Sequence, residues 1–190
     1  MAILAFIASL TRKGASLQNI MCKLAYESNI GGMKKLTIYT PRDPDYQARV
    51  SASFAAQTAM SSMQISLLSL APGKIVMRLN RSPDFLQQQG FIHGGVITSA
   101  LDSACGFAAL SLSATGTEVL SIEFKTSFMA PARGQEIFIE GVVLKSGRRV
   151  SFCEAKAYEA NAEAEERRLI AAMTSSLAHV EVPPDWKPGG

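Results

Sequence analysis

The spacing of hydrophobic and polar residues changes at several points along the chain, and each change marks a predicted element. Between residues 50 and 63, apolar and small side chains recur at helical spacing, which predicts a helix. Residues 64–70 and 74–80 flank a Pro-Gly turn, and the second segment alternates between apolar and polar positions, which predicts a β-hairpin. A loop over 81–92 then leads to about five helical turns, 94–113, in which almost every residue is apolar or small.

Four long β segments follow this helix, at 119–129, 136–145, 150–159 and 169–180. Short turn signals separate them, so the pattern predicts an antiparallel meander. Together with the hairpin, this makes an α+β fold in which an antiparallel sheet of five or six strands wraps around one long central helix. One helix covers only one face of such a sheet. The other face therefore needs a partner chain or the N-terminal extension.

The beginning of the chain differs in composition from the rest. An apolar patch and a weakly helical segment lead to a Gly-Gly pair and a Pro-rich stretch, which are typical of a linker. We therefore predict an N-terminal extension and linker over 1–45, a folded domain over 46–182 and a loose tail over 183–190. Met33 and Met60 stay open as alternative start sites.

Composition and charge exclude several classes of protein. Nineteen Lys and Arg residues against sixteen Asp and Glu give a net charge of +3, which argues against a nucleic-acid partner. The chain contains Cys22, Cys105 and Cys153 at long spacings, so we expect no disulfide framework and a cytoplasmic, reducing location. His93 and His179 lie far apart in sequence, so we predict no metal and no cofactor. The short apolar start predicts no membrane span.

Asp102 is the only charged side chain between Gly94 and Thr117. A carboxylate on an otherwise apolar helix must face a cavity, pair with another group or have a raised pKa, and such a group suits general-base or nucleophilic chemistry. The alternative is a narrow polar stripe that faces water, formed by Asp102 with Thr98, Ser99, Ser103 and Gly106.

The start of the same helix favours the catalytic interpretation. His93, Gly94 and Gly95 place two residues without side chains in the first turn, where backbone N–H groups lack partners and the helix dipole is positive. A ligand oxygen could approach these amides, as in an oxyanion hole. Gln87 precedes His93 by six residues. Each feature alone is common, but their combination with Asp102 is specific.

Two segments, FIHGGVITSALDSACG at 91–106 and SIEFKTSFMAPARG at 121–134, carry a family resemblance. The chain resembles the hotdog-fold acyl-CoA thioesterases of the phenylacetyl-CoA and 4-hydroxybenzoyl-CoA type over about residues 50–180. The resemblance implies hydrolysis of an acyl- or aryl-CoA to the free acid and CoA. It also implies a homodimer with a continuous sheet, and a dimer of dimers in many members.

The resemblance also implies roles for individual residues. Asp102 becomes the general base or nucleophile, and the Gly94 N–H polarises the thioester carbonyl. Gln87 orients water or the carbonyl, His93 positions the turn, and Ser121 helps to hold the nucleophilic water. The candidates for substrate binding are Gly95, Lys125, Arg133, Lys145, Arg148 and Arg149.

Two other functions occur on hotdog folds and stay open as alternatives, namely a non-catalytic acyl-CoA-binding protein and an acyl-thioester dehydratase. Dehydratases of this fold use a histidine base at another spacing, and a binding protein would be expected to lack the helical carboxylate. Asp102 therefore favours hydrolysis.

Helical geometry adds a constraint on any hydrolytic site. Gly94 and Asp102 are eight residues apart on one helix, which separates them by ~12 Å. One carbonyl can contact both groups only if they come from two chains of a two-fold dimer.

Overall fold

A six-stranded antiparallel sheet packs around one long helix in the computed structural model, which describes residues 39–159, 167–183 and 185. The helices are α1 (Tyr46–Ala56), α2 (Thr58–Ser62) and α3 (Gly94–Leu110), and a 3₁₀ turn spans Pro83–Phe85. The strands are β1 (Ile65–Ala71), β2 (Lys74–Asn80), β3 (Thr117–Phe128), β4 (Glu136–Ser146), β5 (Val150–Glu159) and β6 (Arg168–Glu181). Because α3 contacts all six strands, the predicted α+β architecture is confirmed.

The strand order is β1-β2-β4-β5-β6-β3, and every neighbouring pair is antiparallel. The predicted hairpin of β1 and β2 is confirmed. The predicted four-strand meander holds for β4, β5 and β6 but is wrong for β3, which pairs with β6 at the far edge of the sheet. Turn signals show where the chain reverses, but they do not show which strand becomes the neighbour. Here β4 pairs with β2 instead.

The predicted single helix over 50–63 is two helices, because the backbone is extended at Gln57 (φ −78°, ψ 91°). The helices α1 and α2 both precede β1, and α1 contacts α3. The rings of Phe54 and Phe107 meet with their centroids 5.3 Å apart, in a tilted arrangement. The short helices therefore lie beside the C-terminal half of α3.

Helix α3 approaches the sheet closely at Gly141 of β4. A Cβ atom built on Gly141 would lie 2.4 Å from the carbonyl oxygen of Ala104, so only glycine fits there. The buried face of α3 is formed by small and apolar residues, among them Ala100, Leu101, Ala104, Cys105 and Ala108.

The opposite face of α3 is only half-buried, so the helix is not enclosed on all sides as its composition suggested. This face carries the polar stripe noted in the sequence, formed by Thr98, Ser99, Asp102, Ser103 and Gly106. Asp102 consequently lies at the boundary between protein and solvent rather than inside the core.

Arg49 of α1 forms a clamp on the backbone carbonyl groups at and just after the C-terminal end of α3. Its guanidinium donates hydrogen bonds to the carbonyl groups of Leu110 (3.2 Å), Ser113 (2.8 Å) and Thr117 (2.8 Å). Its Nε lies 2.8 Å from Asp43 Oδ2 in an ion pair without hydrogen-bond geometry, and the two side chains are 17% and 6% exposed. Carbonyls at a helix end lack intrahelical donors, and a cation is favourable there. The clamp formed by Arg49 therefore supplies donors to these carbonyl groups, of which that of Leu110 also accepts the Ser113 N–H at 3.0 Å.

The limits of the predicted domains fall partly outside the described residues. This holds for the predicted extension up to residue 38 and for the predicted tail, 183–190, apart from residues 183 and 185. Asp43, inside the predicted linker, contacts the folded domain through its ion pair with Arg49. The boundaries at 45 and 182 stay predictions. No helix in the described part of the chain is long and apolar enough to span a membrane.

We predict that Arg49→Met lowers the free energy of unfolding by ~2–4 kcal/mol, because it removes three hydrogen bonds to carbonyl groups and the cation that pairs with the buried Asp43 carboxylate. Chemical denaturation followed by circular dichroism measures the change. The matched control is Arg78→Met, whose ion pair with Glu136 joins side chains that are 36% and 44% exposed. The control should lose less than ~1 kcal/mol. Equal losses would show that the clamp is not a major stabilising contact.

Candidate active site

Asp102 and Ser121 meet on the half-buried face of α3. The Ser121 hydroxyl donates a 2.6 Å hydrogen bond to Asp102 Oδ1. Hydrogen bonds to a carboxylate are short and strong, so this contact holds one carboxylate oxygen and leaves the other available. The structure thus brings together two of the five predicted catalytic residues, which are nineteen positions apart in sequence.

A β-bulge at Ile122 decides which way the residues of β3 face. The register between β3 and β6 shifts by one residue at this point. Side chains alternate along a regular strand, so Ser121 and Phe128, seven positions apart, would face opposite sides. The extra residue lets both face α3. Ser121 contacts Asp102, and the ring of Phe128 lies 3.1 Å from a Cβ built on Gly94.

Two serines of β6 hold the chain just after this bulge. The buried Ser175 donates its hydroxyl to the carbonyl oxygen of Glu123 at 3.0 Å, and Ser176 donates to Glu123 Oε1 at 2.8 Å. The sequence alone does not point to these two serines. The signal that could have found them is the odd spacing of Ser121 and Phe128 in β3, since residues seven positions apart cannot share a face of a regular strand.

His93 caps the N-terminus of α3. Its Nδ1 accepts the Gly95 N–H at 2.9 Å, and its carbonyl oxygen accepts the N–H groups of Val96 and Ile97. In the described part of the chain, the Gly94 N–H has no acceptor. The first turn therefore offers one amide to a ligand, that of Gly94, because the Gly95 amide is already bonded.

Gln87 lies near the same end of α3, in the loop before it. Its side-chain amide donates to Gln89 Oε1 at 2.9 Å, and its Oε1 accepts the Gln89 N–H at 2.6 Å. Arg81 supports the loop by donating to the carbonyl oxygens of Gly90 (2.7 Å) and Arg133 (2.9 Å). One amide hydrogen and one lone pair of the Gln87 side chain are not used by these two contacts with Gln89.

These residues line two separate clefts in one chain. Gln87 and Gly94 line a cleft of about 440 Å³, whereas Asp102 and Ser121 line another of about 460 Å³. The structure therefore does not bring Gly94 and Asp102 together within one chain, in agreement with their eight-residue spacing on the helix.

The predicted substrate-binding cations lie in three places, near the Gly94 cleft, on β3 and around the β4–β5 turn. Arg133 stacks over the ring of Phe91, 4.7 Å from its centroid, and Phe91 lines the Gly94 cleft. Lys125 is exposed on the edge strand β3. The other three surround the β4–β5 turn, where the His179 N–H donates to the Arg149 carbonyl oxygen and the His179 ring contacts Ser113, three residues beyond α3. These three are Lys145, Arg148 and Arg149.

Other nucleophiles and bases of the described residues are poorly suited to the chemistry. Burial raises the pKa of the Cys105 thiol well above its ordinary value and that of Cys153 to about 12. His179 is bonded to Ser113 (2.9 Å) and Ser151 (2.7 Å), and its pKa is lowered by burial and by Arg42. Among the described residues, no cluster of three or more His, Cys, Asp or Glu could hold a metal ion.

Comparison with known proteins identifies the family. Residues 89–165 match the model of the thioesterase superfamily. A solved thioesterase family protein from Silicibacter pomeroyi is 36% identical, with a TM-score of 0.69, and the match covers 72% of this chain and 98% of that one. The chain belongs to the thioesterase superfamily. This membership confirms the predicted hotdog fold and the predicted enzyme class, a thioester hydrolase.

Two curated relatives of this thioesterase carry more specific names. Human acyl-coenzyme A thioesterase 13 is 30% identical over 90 residues, which cover 47% of this chain and 64% of that protein. The medium/long-chain acyl-CoA thioesterase YigI of Escherichia coli K12 is 27% identical over 101 residues, which cover 46% of this chain and 62% of that protein. The thioesterase chain thus spans slightly less than two thirds of each relative.

We predict that Ser175→Ala lowers the free energy of unfolding by ~1–2 kcal/mol and slows thioester hydrolysis, because the Glu123 carbonyl loses a buried donor and the Ser121 contact loosens. Denaturation and thiol release measure the two effects. Ser176→Ala is the matched control, since it removes the neighbouring, half-exposed hydroxyl, and it should change stability by less than ~0.5 kcal/mol. Identical behaviour of the two variants would contradict the role given to the bulge.

Proposed function

We propose that this thioesterase hydrolyses the thioester of an acyl- or aryl-CoA to the free acid and CoA. The observation that carries the proposal is the Ser121–Asp102 hydrogen bond on the half-exposed face of α3. The unpaired Gly94 N–H supplies the second group that the reaction needs. The names of the human and E. coli relatives support acyl-CoA as the substrate class.

Asp102 acts as the general base or nucleophile of this reaction. In the general-base form, Asp102 accepts a proton from water while the water oxygen bonds to the thioester carbon. The Gly94 N–H donates to the carbonyl oxygen as that oxygen becomes negative. The C–S bond then breaks, and the CoA thiolate takes the proton from the carboxyl group. In the nucleophilic form, Asp102 attacks the carbon itself, the C–S bond breaks to release the CoA thiolate, and water hydrolyses the resulting anhydride to the free acid and the Asp102 carboxylate.

The supporting residues hold the reacting groups in place. Ser121 orients the Asp102 carboxylate or the attacking water, and His93 fixes the first turn so that the Gly94 amide points outward. Gln87 orients the water or the carbonyl with the amide hydrogen or the lone pair that its contacts with Gln89 leave unused. None of these groups needs a cofactor.

A homodimer completes the site in this proposal. Gly94 and Asp102 lie ~12 Å apart on one helix, so each carbonyl contacts Asp102 of one copy and Gly94 of the other. The edge strand β3 is the surface for pairing, since an uncovered apolar edge favours association. Its exposed apolar residues, with those just after it, are Leu120, Ile122, Phe124, Phe128 and Met129. A further association into a dimer of dimers stays a prediction.

The finer assignments also remain proposals. The chain is a thioesterase of the phenylacetyl-CoA and 4-hydroxybenzoyl-CoA type, and the basic residues Lys125, Arg133, Lys145, Arg148 and Arg149 are the candidates for binding the CoA portion of the substrate. A cytoplasmic location, without a nucleic-acid or membrane partner, stays a prediction. A dehydratase or a non-catalytic acyl-CoA-binding protein would release no thiol from acyl-CoA, which separates both alternatives from the thioesterase.

We expect Asp102→Asn to lower kcat by ~10²–10⁴, because the amide keeps the volume of the carboxylate but cannot accept a proton. Release of free thiol from a panel of acyl-CoA compounds measures turnover, and denaturation confirms that the variant is folded. Asp84→Asn, which changes an exposed carboxylate outside both clefts, serves as the control and should keep full activity. Near-normal turnover in folded Asp102→Asn would rule out the assignment.

A site shared by two chains predicts complementation between inactive variants. Asp102→Asn and Gln87→Ala, mixed in equal amounts with subunit exchange, form heterodimers that contain one intact site and one doubly defective site. Random pairing should restore roughly a quarter of the wild-type activity. Each variant incubated alone is the control, and exchange is measured with tagged subunits. Complete exchange without recovery would place both residues in one chain's site.

A further inference from the structure

Gly106 stands out on α3 because packing within the described residues does not require a glycine there. A Cβ built on Gly106 would meet no atom within 4 Å. At Gly141, in contrast, a Cβ would lie 2.4 Å from the Ala104 carbonyl oxygen. Gly106 therefore leaves open space, whereas Gly141 allows close contact.

This open space has an energetic cost. Gly106 lies in the interior of α3, four residues before its end, where glycine lowers helix stability relative to alanine. Neither a turn nor a positive φ angle demands glycine at this position. This glycine lowers the stability of the helix, and the fold does not require it. Its presence therefore points to a function for the open space beside it.

The space belongs to the Asp102 cleft. This cleft begins at Asp102 and Ser121, passes Gly106 one helical turn later, and reaches Leu110, so it follows α3 for ~12 Å. Beyond Asp102 its lining includes apolar residues, Phe107 and Leu110 on the helix and Val119 and Leu177 on the sheet, together with polar residues such as Gln57 and Glu118. A hydrocarbon group attached to a thioester carbon at Asp102 would find room along this path.

We propose that Gly106 is a specificity-determining residue that keeps the acyl side of the cleft open for a medium-length or ring-containing acyl group. The inference rests on the proposed function of Asp102. The acyl group extends from Asp102 towards Leu110, and its first carbons pass over Gly106. A Cβ at this position narrows the cleft beside the reacting carbon without meeting any atom of the described chain.

The test compares Gly106→Ala and Gly106→Leu with the wild-type protein on butyryl-CoA, octanoyl-CoA and phenylacetyl-CoA. Gly106→Leu should lower kcat/KM for the two larger substrates, relative to butyryl-CoA, by at least ~10-fold, and Gly106→Ala should have a smaller effect in the same direction. Gly106→Ala should also raise Tm, because alanine is the better helix former. Higher stability together with narrower specificity is a combination that a merely structural role would not produce.

The control is Thr98→Leu, which enlarges another half-buried residue on the same stripe of α3 but lines neither cleft. It should leave the ratio of the three rates unchanged. An unchanged ratio in Gly106→Leu would overturn the inference while the thioesterase function stands. A uniform loss with dissociation of the dimer, measured by sedimentation, would assign the space to a second copy and overturn it as well. Absence of thiol release by the wild-type protein would overturn both proposals.

Discussion

The direct contact between the backbones of α3 and β4 is the constraint on which the other features depend. Gly141 has no side chain, and the Ala104 carbonyl oxygen occupies the place where its Cβ would be. This contact brings the helix close to the sheet at Ala104, and the residues one turn before and after it, Ala100 and Ala108, are also small and fully buried. It also determines the rotation of the helix about its axis. Asp102 therefore lies on the half-buried face of the helix, where the edge strand β3 contacts it through Ser121.

The backbone groups at the two ends of α3 differ in whether they have hydrogen-bond partners. At the C-terminal end, Arg49 occupies the carbonyl groups of Leu110 and Ser113, so this end is closed. At the N-terminal end, His93 binds the Gly95 amide and leaves the Gly94 amide without an acceptor among the described residues. The positive end of the helix dipole is thus directed at a place where a ligand oxygen can bind.

One chain contains the parts of a hydrolytic site but holds them in two places. The carboxylate with its serine lines one cleft, and the free amide lines the other. The same chain exposes the apolar edge strand β3 beside both clefts, with Leu120 60% and Phe128 56% exposed. A second copy on this edge would account for both features, since it would cover the apolar surface and bring a carboxylate next to an amide. For this reason the proposed homodimer and the proposed catalytic mechanism depend on each other.

Local patterns in the sequence determined the elements and the candidate chemistry. Alternation and turn residues identify β1 and β2, and the apolar run after Gly94 identifies α3 to within three residues of its observed end. Asp102, Gly94 and His93 could be selected because a lone charge on an apolar helix and a glycine pair at its start are visible within a few turns. These features depend on residues close together in the chain.

The tertiary structure alone decided the pairing of β3 with β6, the bulge at Ile122 and the half-exposure of Asp102. Each depends on contacts between residues far apart in sequence, such as Ser175 with Glu123 or Gly141 with Ala104. A strand's periodicity shows that its sides differ, but an inserted residue reverses which side faces the helix. The open space beside Gly106 likewise depends on how far the neighbouring elements lie from this residue. The folded structure sets that distance, so no local sequence pattern predicts it.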